Sequence, residues 1–178
     1  YTTGNGVSDQ SYDMSFQTAD APVGDKITYI SPVYEGLQVG ASYTPDVDEV
    51  NVQGGMQAQG EEGLALAARY AVDDVVGADW TFGAGWNQQD VTGAGNRDQE
   101  QWNVAATAEV DGWTLGAAYF NDEASNKDQS KALAVGVNYE TGAFNYGVSY
   151  LNKEFDVNNS SNDDSLDRYM AGVNYTYG

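Results

Sequence analysis

The sequence predicts an all-β protein, and within that class a transmembrane antiparallel up-and-down β-barrel. Apolar or aromatic residues alternate with small or polar ones in nine segments of the 178-residue chain, and a period of two residues is typical of a strand. Short turns and long polar loops also alternate along the chain. A barrel wall in lipid combines these features, because its outer face is apolar, its inner face is wet, and its tight turns all lie at one end.

The clearest alternation is in the segment 131–151. Leu133, Val135, Val137 and Tyr139 alternate with Ala134, Gly136 and Asn138. After a turn predicted at 140–142, the alternation resumes. The second face of this hairpin carries Ala, Gly, Asn and Ser rather than charges, which suits a barrel wall with a wet lumen. Taken alone, the hairpin fits a soluble β-sandwich equally well.

The other strands are predicted from the same pattern, and each presents one apolar face. The residues expected to face lipid include the following: Leu133, Val135, Val137, Phe144, Tyr146, Val148, Val104, Ala106, Leu115 and Ala117. The nine predicted strands are 25–31, 37–44, 63–71, 76–87, 99–110, 113–120, 133–139, 144–150 and 166–175.

The connections between these strands sort by length. The short turns are predicted at 32–36, 72–75, 111–112 and 140–142, and the long polar loops at 45–62, 88–98, 121–130 and 152–165. Outer-membrane barrels sort their connections in this way, whereas a sandwich has no reason to do so. The alternative interpretation is a soluble or cell-surface β-sandwich, such as an adhesin or lectin-like protein, that binds through its acidic loops.

The composition excludes several functions. A net charge of −20, from 27 acidic and 7 basic residues, argues against a nucleic-acid partner, because phosphates are bound by Lys and Arg. Without His or Cys there is no Ser-His or Cys-His catalytic arrangement and no Cys-based zinc site, so we expect no enzymatic activity. The mean hydropathy of −0.52 does not argue against a barrel, because a barrel wall carries its apolar residues at alternate positions.

A short motif in the predicted hairpin 25–44 resembles a known family. The string Ile27-Thr28-Tyr29-Ile30-Ser31-Pro32, followed by Gly36-Leu37-Gln38-Val39-Gly40-Ala41-Ser42-Tyr43, is similar to a hairpin of the general porins of Gram-negative bacteria, particularly the alphaproteobacterial branch. The rhythm of strands and loops follows the same plan up to Gly178.

This resemblance implies an architecture and a function. The expected protein is an outer-membrane pore through which small hydrophilic solutes and ions diffuse passively, and which contacts membrane lipid and lipopolysaccharide. Family members are commonly sixteen-stranded homotrimers, so the resemblance implies that the chain is part of such a barrel. Residues 1–24 would then be the end of the loop that folds into the pore.

Three basic residues fall on the predicted inner face by strand parity, namely Lys26, Arg69 and Arg168. In the family, a basic patch on the wall faces acidic residues of the inward loop, and the candidates in this chain are Asp9, Asp13 and Asp20. The overall excess of carboxylates predicts a preference for cations.

Two further groups of residues complete the predicted sites. Aromatic residues near the strand ends are expected to form the girdles at the two membrane interfaces: Tyr43, Tyr70, Trp80, Trp86, Trp102, Trp113, Tyr119, Tyr139, Tyr150 and Tyr175. Acidic loop residues are candidates for binding Ca²⁺ or for bridging to lipopolysaccharide, although solvated carboxylates are the simpler interpretation: Asp46, Asp48, Glu49, Asp163, Asp164 and Asp167.

Overall fold

Nine antiparallel strands form one continuous sheet in a computed structural model, which describes residues 25–45, 59–92, 99–124, 129–156 and 164–177. Each strand pairs only with its neighbours in sequence, in the order β1 to β9. This confirms the predicted up-and-down topology. The strands are β1 (Ile27–Ile30), β2 (Leu37–Thr44), β3 (Gln59–Val75), β4 (Ala78–Thr92), β5 (Gln99–Val110), β6 (Trp113–Ala124), β7 (Gln129–Thr141), β8 (Phe144–Asp156) and β9 (Asp164–Tyr175).

Most strands are longer than the alternation predicts. The sequence pattern ends β4 at residue 87, β6 at 120 and β8 at 150, whereas the sheet continues to 92, 124 and 156. The predicted loops 45–62, 88–98, 121–130 and 152–165 are therefore wrong at their edges. The extensions consist largely of polar residues, so backbone pairing continues where hydrophobic alternation has already ended. The first strand is shorter than predicted, because pairing begins at Ile27 and ends at Ile30.

Three of the four short turns share one backbone geometry. Both central residues have positive φ at Glu35-Gly36 (46° and 83°), Val76-Gly77 (59° and 77°) and Asp111-Gly112 (49° and 81°). This geometry suits two-residue hairpins, because its twist matches that of the flanking strands. The predicted turn at 72–75 is wrong, since a register shift lies between Val72 and Val75 and the chain reverses at Val76-Gly77. The turn predicted at 140–142 lies instead between Thr141 and Phe144.

The first hairpin shows why its motif residues are needed. The Ser31 hydroxyl accepts a hydrogen bond from the Val39 amide at 3.0 Å, and the Ser31 carbonyl accepts one from the Gln38 side chain at 3.1 Å. Gly36 lies against the next hairpin, where its carbonyl accepts the Ala71 amide at 2.9 Å. A Cβ at Gly36 would collide with the Ala71 carbonyl oxygen, so only glycine fits this position.

The sheet is a single layer with little interior. Three of the four buried apolar residues in the described ranges, Phe120, Ala132 and Leu151, cluster on one face, with Ala134 packed against them. No large side chain within the described ranges is fully buried, and most large apolar residues are exposed. No helix in these ranges is long and apolar enough to cross a membrane. One layer with an exposed apolar face differs from a soluble sandwich, in which the second sheet would cover that face.

Candidate pore wall

The sheet has one apolar face, and it is unbroken from β1 to β9. Residues that are directly opposite on neighbouring strands point to the same side, and the register pairs apolar residues with one another over eight interstrand ladders. Phe82, Ala106, Ala117, Val135 and Tyr150 form one such row. All ten residues predicted to face lipid lie on this face, which remains open, with Leu115 49% and Val148 54% exposed.

Aromatic residues border this apolar face in two rows. On four strands an aromatic pair is six residues apart: Trp80 and Trp86, Trp113 and Tyr119, Phe144 and Tyr150, and Tyr169 and Tyr175. Six residues of strand span about 20 Å. Of the predicted girdle residues, Tyr43, Trp86, Trp102, Tyr119 and Tyr150 lie toward the long loops, and Tyr70, Trp80, Trp113, Tyr139 and Tyr175 lie toward the short turns. We call these the loop-end row and the turn-end row.

The rings within each row contact one another. In the loop-end row the centroids of Trp102 and Tyr119 are 5.3 Å apart. In the turn-end row those of Trp113 and Tyr139 are 4.4 Å apart. Separations of this size are typical of favourable aromatic pairs.

The polar ends of these aromatics form hydrogen bonds away from the apolar band. In the loop-end row, the Trp86 indole donates to Glu100 at 2.8 Å and the Tyr150 hydroxyl donates to Asp167 at 2.6 Å. In the turn-end row, the Trp80 indole donates to the Val75 carbonyl at 3.2 Å. The rings therefore contribute carbon to the band and direct their polar groups toward opposite ends of the strands, as side chains at a membrane interface do.

The opposite face is lined largely by small and polar side chains, and it also carries the buried cluster of Phe120, Ala132 and Leu151. One register row begins at Arg69 on β3 and ends at Arg168 on β9. Between the two arginines lie Gly83, Ala105, Ala118, Ala134 and Leu151. This row is smooth and uncharged except at its ends.

The two arginines on this face are far apart, whereas Lys153 of β8 lies on the same face one strand away from Arg168. Six interstrand steps separate Arg69 from Arg168, which is about 29 Å along the sheet. Lys26 is exposed and precedes the first residue of β1. The sheet thus places both arginines on the polar face without bringing them into one cluster. The predicted acidic partners Asp9, Asp13 and Asp20 lie outside the described residues.

A second row on the polar face bears oxygen on every side chain from β4 to β7. It consists of Asn87, Gln101, Asp122 and Ser130, and we call it the oxygen row. Gln101 is only 2% exposed. Gln101 Oε1 and Asp122 Oδ1 are both buried, and neither has a hydrogen-bond partner in the described part of the chain. The next row along contains Lys153, whose charge acts on Asp122.

Asp122 is three residues beyond Tyr119 and therefore outside the stretch between the two aromatic rows. Burial raises the pKa of its carboxyl, and a hydrogen bond from Gln101 and the charge of Lys153 oppose that rise. The net direction shows that the surrounding groups do not fully compensate the desolvated carboxylate.

Most of the candidate calcium ligands lie outside the residues that the structure describes. Asp46, Asp48, Glu49 and Asp163 lie outside the described residues, and of Asp164 only the backbone, in β9, is described. Asp167 accepts hydrogen bonds from Tyr150 and, at 3.0 Å, from Asn152. In the described ranges no three acidic residues come together as a metal site would require.

Sequence reasoning missed the oxygen row as a unit. Gln101 lies in the predicted strand 99–110, whereas Asp122 and Ser130 lie in the predicted loop 121–130. Only the register, which continues past the apolar part of β6 and β7, brings them opposite one another. Extending the strands through polar residues of the right parity would have found the row.

The architecture has a counterpart among solved structures. The chain matches a loop-deletion variant of OmpT, an outer membrane protein of Vibrio cholerae, with a TM-score of 0.60 and 14% sequence identity. The match covers 97% of this chain and 63% of that protein. At this identity the similarity concerns the fold, which is that of an outer-membrane β-barrel protein.

The family follows from the sequence itself. Residues 1–178 match the family described as Gram-negative porin, and the chain belongs to that family. It is therefore a transmembrane β-barrel chain of the bacterial outer membrane. No curated protein matches it. The soluble sandwich interpretation is wrong, since neither this family nor a single sheet with an open apolar face is compatible with it.

Proposed function

We propose that the chain forms much of the wall of a water-filled channel, through which small hydrophilic solutes and ions diffuse passively, with a preference for cations. The observation that carries this proposal is the separation of faces over all nine strands, apolar on one side and largely small or polar on the other. The apolar face would contact lipid, and the polar face would line the water. The mechanism is steric and electrostatic, and it needs no catalytic group.

The aromatic rows mark the membrane interfaces in this proposal. The loop-end row would lie at the outer surface, because long loops of such barrels are extracellular and tight turns periplasmic. The acidic connections would then meet lipopolysaccharide, where divalent cations such as Ca²⁺ could bridge carboxylates and phosphates. The strand extensions beyond the loop-end row would stand in that polar layer.

The closed barrel also belongs to the proposal. The nine strands are odd in number, and in the described sheet β1 and β9 pair with no further strand, whereas single-chain bacterial barrels close with an even number. The alphaproteobacterial resemblance favours sixteen strands and a homotrimer. In that arrangement residues 1–24 would contribute to the inward loop.

Planar-bilayer recording tests the function. Full-length protein should produce discrete conductance steps, and under a salt gradient the reversal potential should have the sign of cation preference, because wall carboxylates outnumber basic groups. Protein that inserts into the bilayer without conductance steps would contradict the channel. Conductance steps with a preference for anions would support the proposed channel but contradict the proposed cation preference.

A further inference from the structure

We propose that the oxygen row is a transient binding station for hard inorganic cations in the pore wall, with Gln101 Oε1 and Asp122 Oδ1 as its principal ligands. This inference depends on the proposed channel and adds a site to it. Cations such as K⁺ and Ca²⁺ are coordinated by carboxylate, amide and hydroxyl oxygens, and the row offers all three kinds.

The two unpaired oxygens are the first reason. Buried polar atoms are normally hydrogen-bonded, and leaving an acceptor unpaired costs free energy. Gln101 and Asp122 are directly opposite each other on β5 and β6, so two such acceptors lie on neighbouring strands at one level of the polar face. A cation that lost part of its hydration shell would satisfy both oxygens.

The position of the row is the second reason. Strands β4 to β7 supply its four side chains at intervals of about 4.8 Å, so the oxygens follow the wall as a strip rather than enclosing a cage. A single carboxylate and neutral oxygens give modest affinity. Conduction requires such affinity, since an ion that binds too tightly blocks the pore.

Lys153 supplies the third element. Its charge acts on Asp122 from β8, one row away, and partly compensates the carboxylate. Lys153 therefore competes with a bound cation. This makes a prediction of opposite sign, because removing the lysine charge should strengthen cation binding while removing the Asp122 charge should weaken it.

The test measures block of potassium current by calcium in planar bilayers containing the full-length protein. Calcium should reduce the single-channel potassium current at a concentration that rises about tenfold in Asp122→Asn, because a charged ligand is lost. Gln101→Leu should shift the blocking concentration in the same direction, and Lys153→Met should lower it. Asp122→Asn preserves side-chain size, so the test stands even if Gln101→Leu fails to insert.

Glu109→Gln is the matched control. Glu109 is on the same strand and face as Gln101, eight residues away, and is exposed. Its neutralisation should leave the blocking concentration unchanged. Equal shifts in Asp122→Asn and Glu109→Gln would assign block to the diffuse wall charge and overturn the station, as would conductance that is insensitive to calcium. Absence of any conductance would instead contradict the proposed channel.

Discussion

Arg69 and Arg168 lie on the polar face, and in the proposed channel they would place positive charge on the wall that lines the water. Each contributes one positive charge, whereas the chain as a whole carries a net charge of −20. They end the same register row but are six strands apart. At 0.1 M salt the Debye length is about 10 Å, so two charges about 29 Å apart along the wall act nearly independently.

Replacing either arginine should raise cation preference. In Arg69→Ala or Arg168→Ala the cation-to-anion permeability ratio should rise roughly twofold, and the effects should multiply in the double variant because the charges are screened from each other. Reversal potentials under a salt gradient measure the ratio. Lys131→Ala is the control, since Lys131 lies by register on the apolar-face side of β7. Unaltered potentials in both arginine variants would remove these residues from the conduction path.

Val76 is an unfavourable residue for its turn. Its φ of 59° is unusual for a β-branched side chain, and the side chain is 98% exposed. Val76→Asn should stabilise the folded protein by about 1 kcal/mol, because asparagine tolerates this conformation and precedes glycine in the favoured two-residue turn. Gly77→Ala should destabilise it by about 1–2 kcal/mol for the converse reason. Urea unfolding in lipid measures both, and equal stabilities would contradict the turn geometry.

At the scale of the strand, alternation decides which substitutions the membrane tolerates. Val135→Arg and Val104→Arg place a charge in the apolar band and should each cost about 2–4 kcal/mol near the bilayer midplane. Ala105→Arg is the matched control, because Ala105 follows Val104 on β5, is also exposed, and points to the polar face between Gly83 and Ala118. Folding yield into liposomes should therefore fall for the first two variants and persist for the third.

The faces of the strands could be predicted from the sequence, but their ends could not. Side chains such as Val135 and Leu115 show which face of a strand contacts lipid, because every residue on that face is more stable in lipid when it is apolar. Beyond the loop-end row, both faces of the sheet meet polar surroundings. Residues such as Glu100, Asp122 and Glu154 continue the backbone pairing there, but the sequence shows no hydrophobic alternation that would reveal it. The turn at Val76 could not be predicted, because a β-branched residue rarely adopts the positive φ that Val76 has.

The candidate site divides in the same way. Arg69 and Arg168 were found because they interrupt an alternating pattern, where a charge is affordable only on the polar face. The oxygen row was not found as a unit, because Asn87, Gln101 and Ser130 are unremarkable polar residues until register aligns them. A sequence therefore reveals isolated charged residues on the pore wall more readily than rows of polar residues that lie on different strands.

At the scale of the whole molecule, the account requires that one face of the sheet contact lipid and the other contact water over every strand. The single layer, the two aromatic rows and the sorted connections all depend on this arrangement. Chain segments outside the described strands can change the pore diameter or the oligomeric state without altering this separation of the two faces.

Cysteine scanning along β5 tests this requirement most directly, and the chain contains no cysteine of its own. Single cysteines from residue 103 to 108 would be treated, in lipid, with a charged thiol reagent that cannot cross the bilayer. The account predicts reaction at Asn103, Ala105 and Thr107 and protection at Val104, Ala106 and Ala108, because only the polar face meets water. Uniform reaction along the strand, or alternation in the opposite phase, would contradict it.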